Sequence, residues 1–154
     1  MKRRRFILIL MMCALFGVNA NVSATFDDGV SIEEYEGMKW DKMIHSIIQV
    51  ESSGDPSAVS PCKQYVGVLQ IHKIVVDDCN EWLSMNGLKK RYSYKDRFNK
   101  EKSIEIFNLY QERYNKEKDI HRAIRIWNGG CNYKRKKSTE RYYHKVMAEF
   151  SKEE

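Results

Sequence analysis

One carboxylate stands out by its position. Glu51 follows Ile47, Ile48 and Val50, at the end of a run in which Trp40, Met43, Ile44, Ile47 and Ile48 recur at helical spacing. The C-terminus of a helix carries partial negative charge and disfavours an ionised carboxylate. Partial burial acts in the same direction, because it penalises the charged form. Together they raise an acid's pKa toward neutrality, which is what protonation of a glycosidic oxygen requires. A solvated glutamate in a last helical turn would occupy the same position, so its companions must decide the chemistry.

Other chemistries find less support. His45, His72, His121 and His144 are scattered, without metalloprotease spacing, and the cysteines fit no common zinc pattern. No Gly-x-Ser-x-Gly motif and no glycine-rich phosphate loop occurs. Cys62, Cys79 and Cys131 lack the local signature of a nucleophile. Asp55, Asp77, Asp78 and Glu81 are available as second carboxylates, but their spacing does not demand it, and they read as structural. No metal and no cofactor is expected.

Glu51 opens the first of four blocks. Glu51-Ser52-x-Gly54-Asp55-Pro56-x-Ala58-x-Ser60 is followed by Gly67-Val68-Leu69-Gln70-Ile71. Then come Ala123-x-x-Ile126-Trp127-Asn128-Gly129-Gly130 and Thr139-x-x-Tyr142-Tyr143-x-x-Val146. In this order the blocks resemble the soluble lytic transglycosylase family, which shares its fold with goose-type lysozymes. The family reads Glu-Ser-x-x-Asn-Pro-x-Ala-x-Ser, Gly-Leu-Met-Gln, Ala-Tyr-Asn-x-Gly and Thr-x-x-Tyr-Val. Asp55 stands in place of Asn, Leu69 in place of Met, and Trp127 in place of Tyr, which preserves an aromatic wall. Residues 62–66 replace a Gly-Ala pair and lengthen that loop by one residue.

The resemblance implies an all-α, lysozyme-like single helical domain. It implies a peptidoglycan lytic transglycosylase that cleaves the β-1,4 bond between N-acetylmuramic acid and N-acetylglucosamine and leaves 1,6-anhydromuramoyl ends. Glu51 would be the general acid and base, and Ser52, Ser60, Gln70, Trp127, Asn128 and Tyr142 would support it or bind substrate. Each has a plainer reading too: a turn cap for the serines, a helix surface for Gln70, a C-cap for Asn128, core packing for Tyr142. The Asn128 amide is placed to bond either to Glu51 or to a sugar. Gly67, Gly129 and Gly130 are expected to serve backbone geometry.

These residues need elements to position them. Residues 21–38 are polar and acidic without a clear period, and read as an extended lead-in. A first helix begins near Trp40 and ends at Gly54-Asp55-Pro56. A loop over 57–66 leads to a second helix from about Gly67 to Leu83, closed by Asn86-Gly87. Tyr92, Tyr94 and Phe98 lie in a polar connector. A third helix carries Ile104, Phe107, Leu109 and Tyr110, and a short fourth carries Ile120, Ala123, Ile124 and Trp127. Residues 134–137 form a basic loop, either solvated or attractive to an anionic wall polymer. Ser138 or Thr139 caps a last helix. There is no alternating strand run and no internal repeat.

The charge balance depends on the first residues. The chain has 154 residues and a formal charge of +6. Lys2, Arg3, Arg4 and Arg5 precede an uncharged stretch over 6–18, and small residues suited to cleavage end at Ala20 and Ala24. This is the pattern of an export signal over 1–24, cleaved after Ala20 or Ala24. The apolar stretch is shorter than the roughly 20 residues of a spanning helix, although an uncleaved anchor is the alternative. Cys13 reads as a hydrophobic filler rather than a lipidation site. The expected layout is signal 1–24, lead-in 25–38 and catalytic domain 39–154.

Export would remove four positive charges and no acidic ones, lowering +6 to +2. So small a balance argues against nucleic acid as a partner. The export signal implies a place in the periplasm or cell envelope, or secretion, where disulfides persist; one disulfide and one free thiol is the simplest outcome for Cys62, Cys79 and Cys131. Peptidoglycan glycan strands are the expected partner and a monomer the expected state. The resemblance leaves open membership of a cell-envelope secretion or conjugation complex. Two alternatives share the fold: a lysozyme-like muramidase that hydrolyses the same bond, and a non-catalytic wall-binding protein.

Overall fold

A computed structural model of the chain describes residues 30–135 and 137–153. The expected signal and the first part of the lead-in lie outside them. Among the described residues there are five α-helices: α1 Ile32–Ser52, α2 Lys73–Met85, α3 Lys100–Tyr114, α4 Ile120–Gly129 and α5 Lys137–Phe150. One small antiparallel hairpin joins β1 Tyr65–Val66 to β2 Ile71–His72, with Tyr65 opposite His72 and Val66 opposite Ile71. The fold is all-α and lysozyme-like, as expected. Among the described residues no helix is long and apolar enough to cross a membrane.

α1 starts earlier than its apolar period. Ser31 caps it by accepting a hydrogen bond from the Glu34 amide at 3.1 Å, and Glu33 and Glu34 sit in its first turn. Acidic residues there complement the helix dipole. Residues 32–38 are therefore helix, not lead-in. They are exposed, so nothing imposed an apolar period on them. Further along, Met43, Ile44, Ile47 and Ile48 are buried, as their spacing predicts. Ser53 ends the helix in a left-handed conformation.

The second expected helix is shortened at its start. Residues 67–70 form the hairpin turn, and α2 begins only at Lys73, capped by the His72 ring nitrogen. Val68 and Leu69 are fully buried, but in a turn. Gly67 dictates this, with φ +77 and no room for a side chain: a Cβ would lie 1.8 Å from the Arg97 carbonyl oxygen. Arg97 is itself buried and donates to the carbonyls of Ile71 and Tyr94, both at 2.9 Å. It clamps the hairpin to a 3-10 turn over Tyr94–Phe98. Tyr92 in the supposed polar connector is buried, held by paired bonds with the Asn80 side chain.

The last helix also differs at its start. α5 begins at Lys137, so neither Ser138 nor Thr139 is its cap; Thr139 is buried in the first turn. A Cβ on Gly129 would meet the Thr139 hydroxyl at 2.7 Å and Tyr133 Cβ at 2.5 Å, so α4 and α5 approach closely only because position 129 is glycine. Of the expected basic loop, Tyr133–Arg135 is a 3-10 turn and Lys137 belongs to α5.

The core joins Met43 and Ile47 of α1, Leu69 of the turn, Phe107 of α3, Ile124 of α4 and Val146 of α5. The expected disulfide does not form: Cys62, Cys79 and Cys131 are all free. Cys79 is buried between α2 and α3, with its sulfur 3.6 Å from the Ile106 carbonyl, while Cys62 and Cys131 are exposed. A small core of this kind is held by packing rather than by a staple.

Candidate active site

The C-terminal turn of α1 delivers Glu51 to the surface beside α5. Its Oε1 accepts a hydrogen bond of 2.7 Å from the Tyr142 hydroxyl. Burial lifts the Glu51 carboxyl to about 7, while the Tyr142 bond pulls the other way and only partly offsets it. No basic residue sits in the last turn of α1 to favour the anion. Burial and the neighbouring carboxylate push the Tyr142 phenol up, which keeps it a proton donor.

Two cavities of about 360 Å³ each meet at Glu51 and Asn128. The first lies toward the hairpin. Four of the motif residues, Ser60, Gln70, Trp127 and Asn128, line it together with Tyr65, His72 and Tyr110. Trp127 packs edge-on against Phe107 at 4.8 Å and Tyr110 at 5.9 Å, which fixes an aromatic wall. Gln70 has φ +48 and uses its amide nitrogen on the carbonyls of Gly67 at 2.9 Å and Ala58 at 3.3 Å. Its amide oxygen has no partner among the described residues. Ser60 accepts from the Tyr65 amide at 3.1 Å.

The second cavity lies toward α5 and is lined by Ser138, Arg141, Tyr142 and Lys145. These positions follow i, i+3, i+4, i+7 and so share one helix face. The expected companions Tyr142 and Asn128 are both present, but Tyr142, not Asn128, makes the bond to Glu51. Asn128 is exposed and common to both cavities.

Ser52 is not brought into either cavity. Its hydroxyl donates to the Val68 carbonyl at 2.8 Å and accepts from the Gly54 amide at 3.2 Å. It ties the end of α1 to the 67–70 turn, positioning Glu51 against Gln70. Sequence reasoning missed Tyr65, His72 and Tyr110, which no motif marks. Arg141 and Lys145 were within reach, since they flank Tyr142 at helical spacing.

Among the described residues no second carboxylate lines either cavity. Asp55 accepts from Ser57, Asp77 from Tyr94, Asp78 from Tyr114, and Glu81 from Arg113. All four carboxylates hold the scaffold. Among the described residues no group of three or more His, Cys, Asp and Glu side chains is placed to hold a metal ion. A larger cavity of about 660 Å³, lined by Trp40, Trp82, Gln111 and Asn115 among others, contains none of the motif residues. Chemistry rather than volume therefore selects the Glu51 cleft.

Comparison with curated proteins gives no match. Comparison with known families matches the transglycosylase SLT domain over residues 30–148, which takes in α1 through most of α5 and all four sequence blocks. The chain belongs to the transglycosylase SLT domain family, a family that acts on peptidoglycan.

Proposed function

We propose that this chain is an exported peptidoglycan lytic transglycosylase in which Glu51 acts alone, first as general acid and then as general base. One observation carries the reading: a carboxyl with its pKa lifted to about 7 sits where two cavities meet, and among the described residues their linings hold no second carboxylate. A pair of carboxylates is the usual equipment of a glycosidase. A single one suffices when the sugar supplies its own nucleophile.

With a pKa of about 7, Glu51 keeps a substantial protonated fraction near neutral pH and can give its proton to the glycosidic oxygen between N-acetylmuramic acid and N-acetylglucosamine. The C1–O bond breaks and its electron pair stays on the departing oxygen. The Glu51 carboxylate then takes the proton of the muramoyl C6 hydroxyl. That oxygen attacks C1 and closes the 1,6-anhydro ring, so no water is consumed. Tyr142 donates to Oε1 in both states, which leaves Oε2 to carry the exchanged proton and stabilises the carboxylate between the two steps. Trp127, Tyr65 and Tyr110 offer apolar faces to sugar rings, and Gln70 and Asn128 offer amides to N-acetyl groups.

The basic start followed by a short uncharged stretch supports export to the periplasm or cell envelope, where this substrate resides. The test is mass spectrometry of products released from purified wall material. Anhydromuramoyl ends from the wild type, and none from Glu51→Gln, are expected. Reducing muramoyl ends would make the enzyme a hydrolase of the same bond.

A further inference from the structure

We propose that the cavity between α1, α2 and α3 is a second, non-catalytic binding site, and that its ligand is a neutral N-acetylated glycan strand. The class of ligand rests on the reading of peptidoglycan as the substrate, while the site rests on its own lining.

This cavity measures about 660 Å³, larger than either cavity at Glu51, and shares no lining residue with them. Trp40 of α1 and Trp82 of α2 line it half-buried, and Asn108, Gln111 and Asn115 come from α3 and its C-cap. The fully buried Phe107 ring meets Trp40 at 6.3 Å and Trp127 at 4.8 Å between centroids. One core ring thus supports an indole of each site.

The cavity also holds two acceptors that the scaffold leaves over. Gln111 is 2% exposed and Asn115 0%. Each spends its amide nitrogen on the fold: Gln111 donates to the Ala123 carbonyl at 3.3 Å and Asn115 to the Asp119 carbonyl at 2.9 Å. The amide oxygen of each is buried without a hydrogen-bond partner. Buried polar atoms are nearly always paired, because an unpaired one costs free energy. Four buried side-chain atoms are unpaired among the described residues, and two of them belong to this one lining. A ligand bringing N–H or O–H donors is what they lack. The Trp82 indole N–H, which makes no hydrogen bond among the described residues, supplies a donor in return.

The groove continues past Trp40. A neighbouring cavity of about 520 Å³ shares Trp40 and Lys118 and adds Glu33, Glu36 and Asp41. Joined cavities suit an extended chain rather than a single ring. Three carboxylates against one ammonium disfavour an anionic ligand and accept readily from hydroxyls. Indoles stack on the apolar faces of sugar rings, and amides pair with N-acetyl groups. Ring faces, hydroxyls, amides and no charge together describe a glycan strand bare of peptide. A strand held there tethers the enzyme to the wall while another occupies the Glu51 cleft.

The three tryptophans of the chain divide between the sites: Trp127 lines the cleft, and Trp40 and Trp82 line the second cavity. Their indole N–H resonances are followed by NMR in the full-length protein carrying Glu51→Gln as chitotetraose is added. Trp40, Trp82 and the Gln111 and Asn115 side-chain amides are expected to shift along one binding curve, and Trp127 along another. Trp82→Ala should weaken the curve read at Trp40 roughly tenfold, and Asn108→Ala, at an exposed position, about threefold. Both should leave the Trp127 curve in place. If Trp82→Ala does not fold, Asn108→Ala decides. Shifts confined to Trp127 overturn the second site and leave the reading of the cleft standing; shifts at Trp40 and Trp82 without Trp127 do the reverse. Trp40 and Trp82 shifts that track Trp127 in both variants report the cleft through Phe107 and overturn the site. So does the absence of any shift, or a response to free stem peptide but not to chitotetraose.

Discussion

The two walls of the cleft are built by different means. The hairpin wall is a backbone construction. Gly67 and Gln70 adopt positive φ, and Arg97 and Ser52 fasten the turn through carbonyl oxygens. The α5 wall is a helix face, where the register alone aligns Ser138, Arg141, Tyr142 and Lys145. The first wall owes its shape to buried bonds, so a change there should damage fold and function together. The second presents side chains from a helix anchored elsewhere by Val146 and Thr139, so its chemistry should be alterable with little loss of stability.

The largest expected effect belongs to neither wall but to the group between them. Glu51→Gln should reduce product release by roughly 10² to 10⁴-fold, the range of general acid–base catalysis, with an unchanged circular dichroism spectrum. Stability provides a second reading. The folded pKa of about 7 lies above the ordinary carboxyl value of 4.5, so the folded state binds the proton more tightly than the unfolded one. The resulting stabilisation is complete below about pH 4.5 and is lost as pH rises toward 7. Denaturant titrations at pH 4 and pH 8 should therefore show a smaller loss in Glu51→Gln than in the wild type.

The hairpin wall comes next. Gly67→Ala puts a Cβ against the Arg97 carbonyl and strains a positive φ, and should destabilise the protein by about 3 kcal/mol. Arg97→Met leaves the Ile71 and Tyr94 carbonyls without their donor, for a loss of about 2 kcal/mol. Urea midpoints measure both, and activity should fall with them. A variant that lost the stability but kept full activity would show that the hairpin wall does not shape the site.

The smallest effect falls on the α5 wall. Tyr142→Phe removes one hydrogen bond, with a stability change of about 1 kcal/mol. Because that bond holds the Glu51 pKa down, its removal should move the alkaline limb of the rate profile upward. A shift downward, or a collapse in stability comparable to Gly67→Ala, would erase the distinction between the walls.

The same distinction governs how much could be read beforehand. Glu51 at the end of α1, the apolar face of that helix and the separate tyrosine block were legible, because helical periodicity and motif order carry them. The start of α1 was written in Ser31 and Glu34, yet hidden by exposed residues without a period. The hairpin was not legible: Val68, Leu69 and Ile71 are apolar and buried whether they lie in a helix or a turn. What excludes the helix is the Arg97 carbonyl oxygen, thirty residues downstream of Gly67. The cysteine pairing failed for a similar reason, since spacing along the chain does not tell which thiol enters the core.

By itself, then, the sequence determined the helical class, the family and the one carboxylate to consider as an acid, since each rests on local pattern or motif order. Tertiary structure decided the partner that holds the acid, the hairpin that faces it and the division of the cleft into a neutral and a cationic half. Each of these depends on contacts between residues distant in the chain, as in the bond between Glu51 and Tyr142, and no local propensity encodes them.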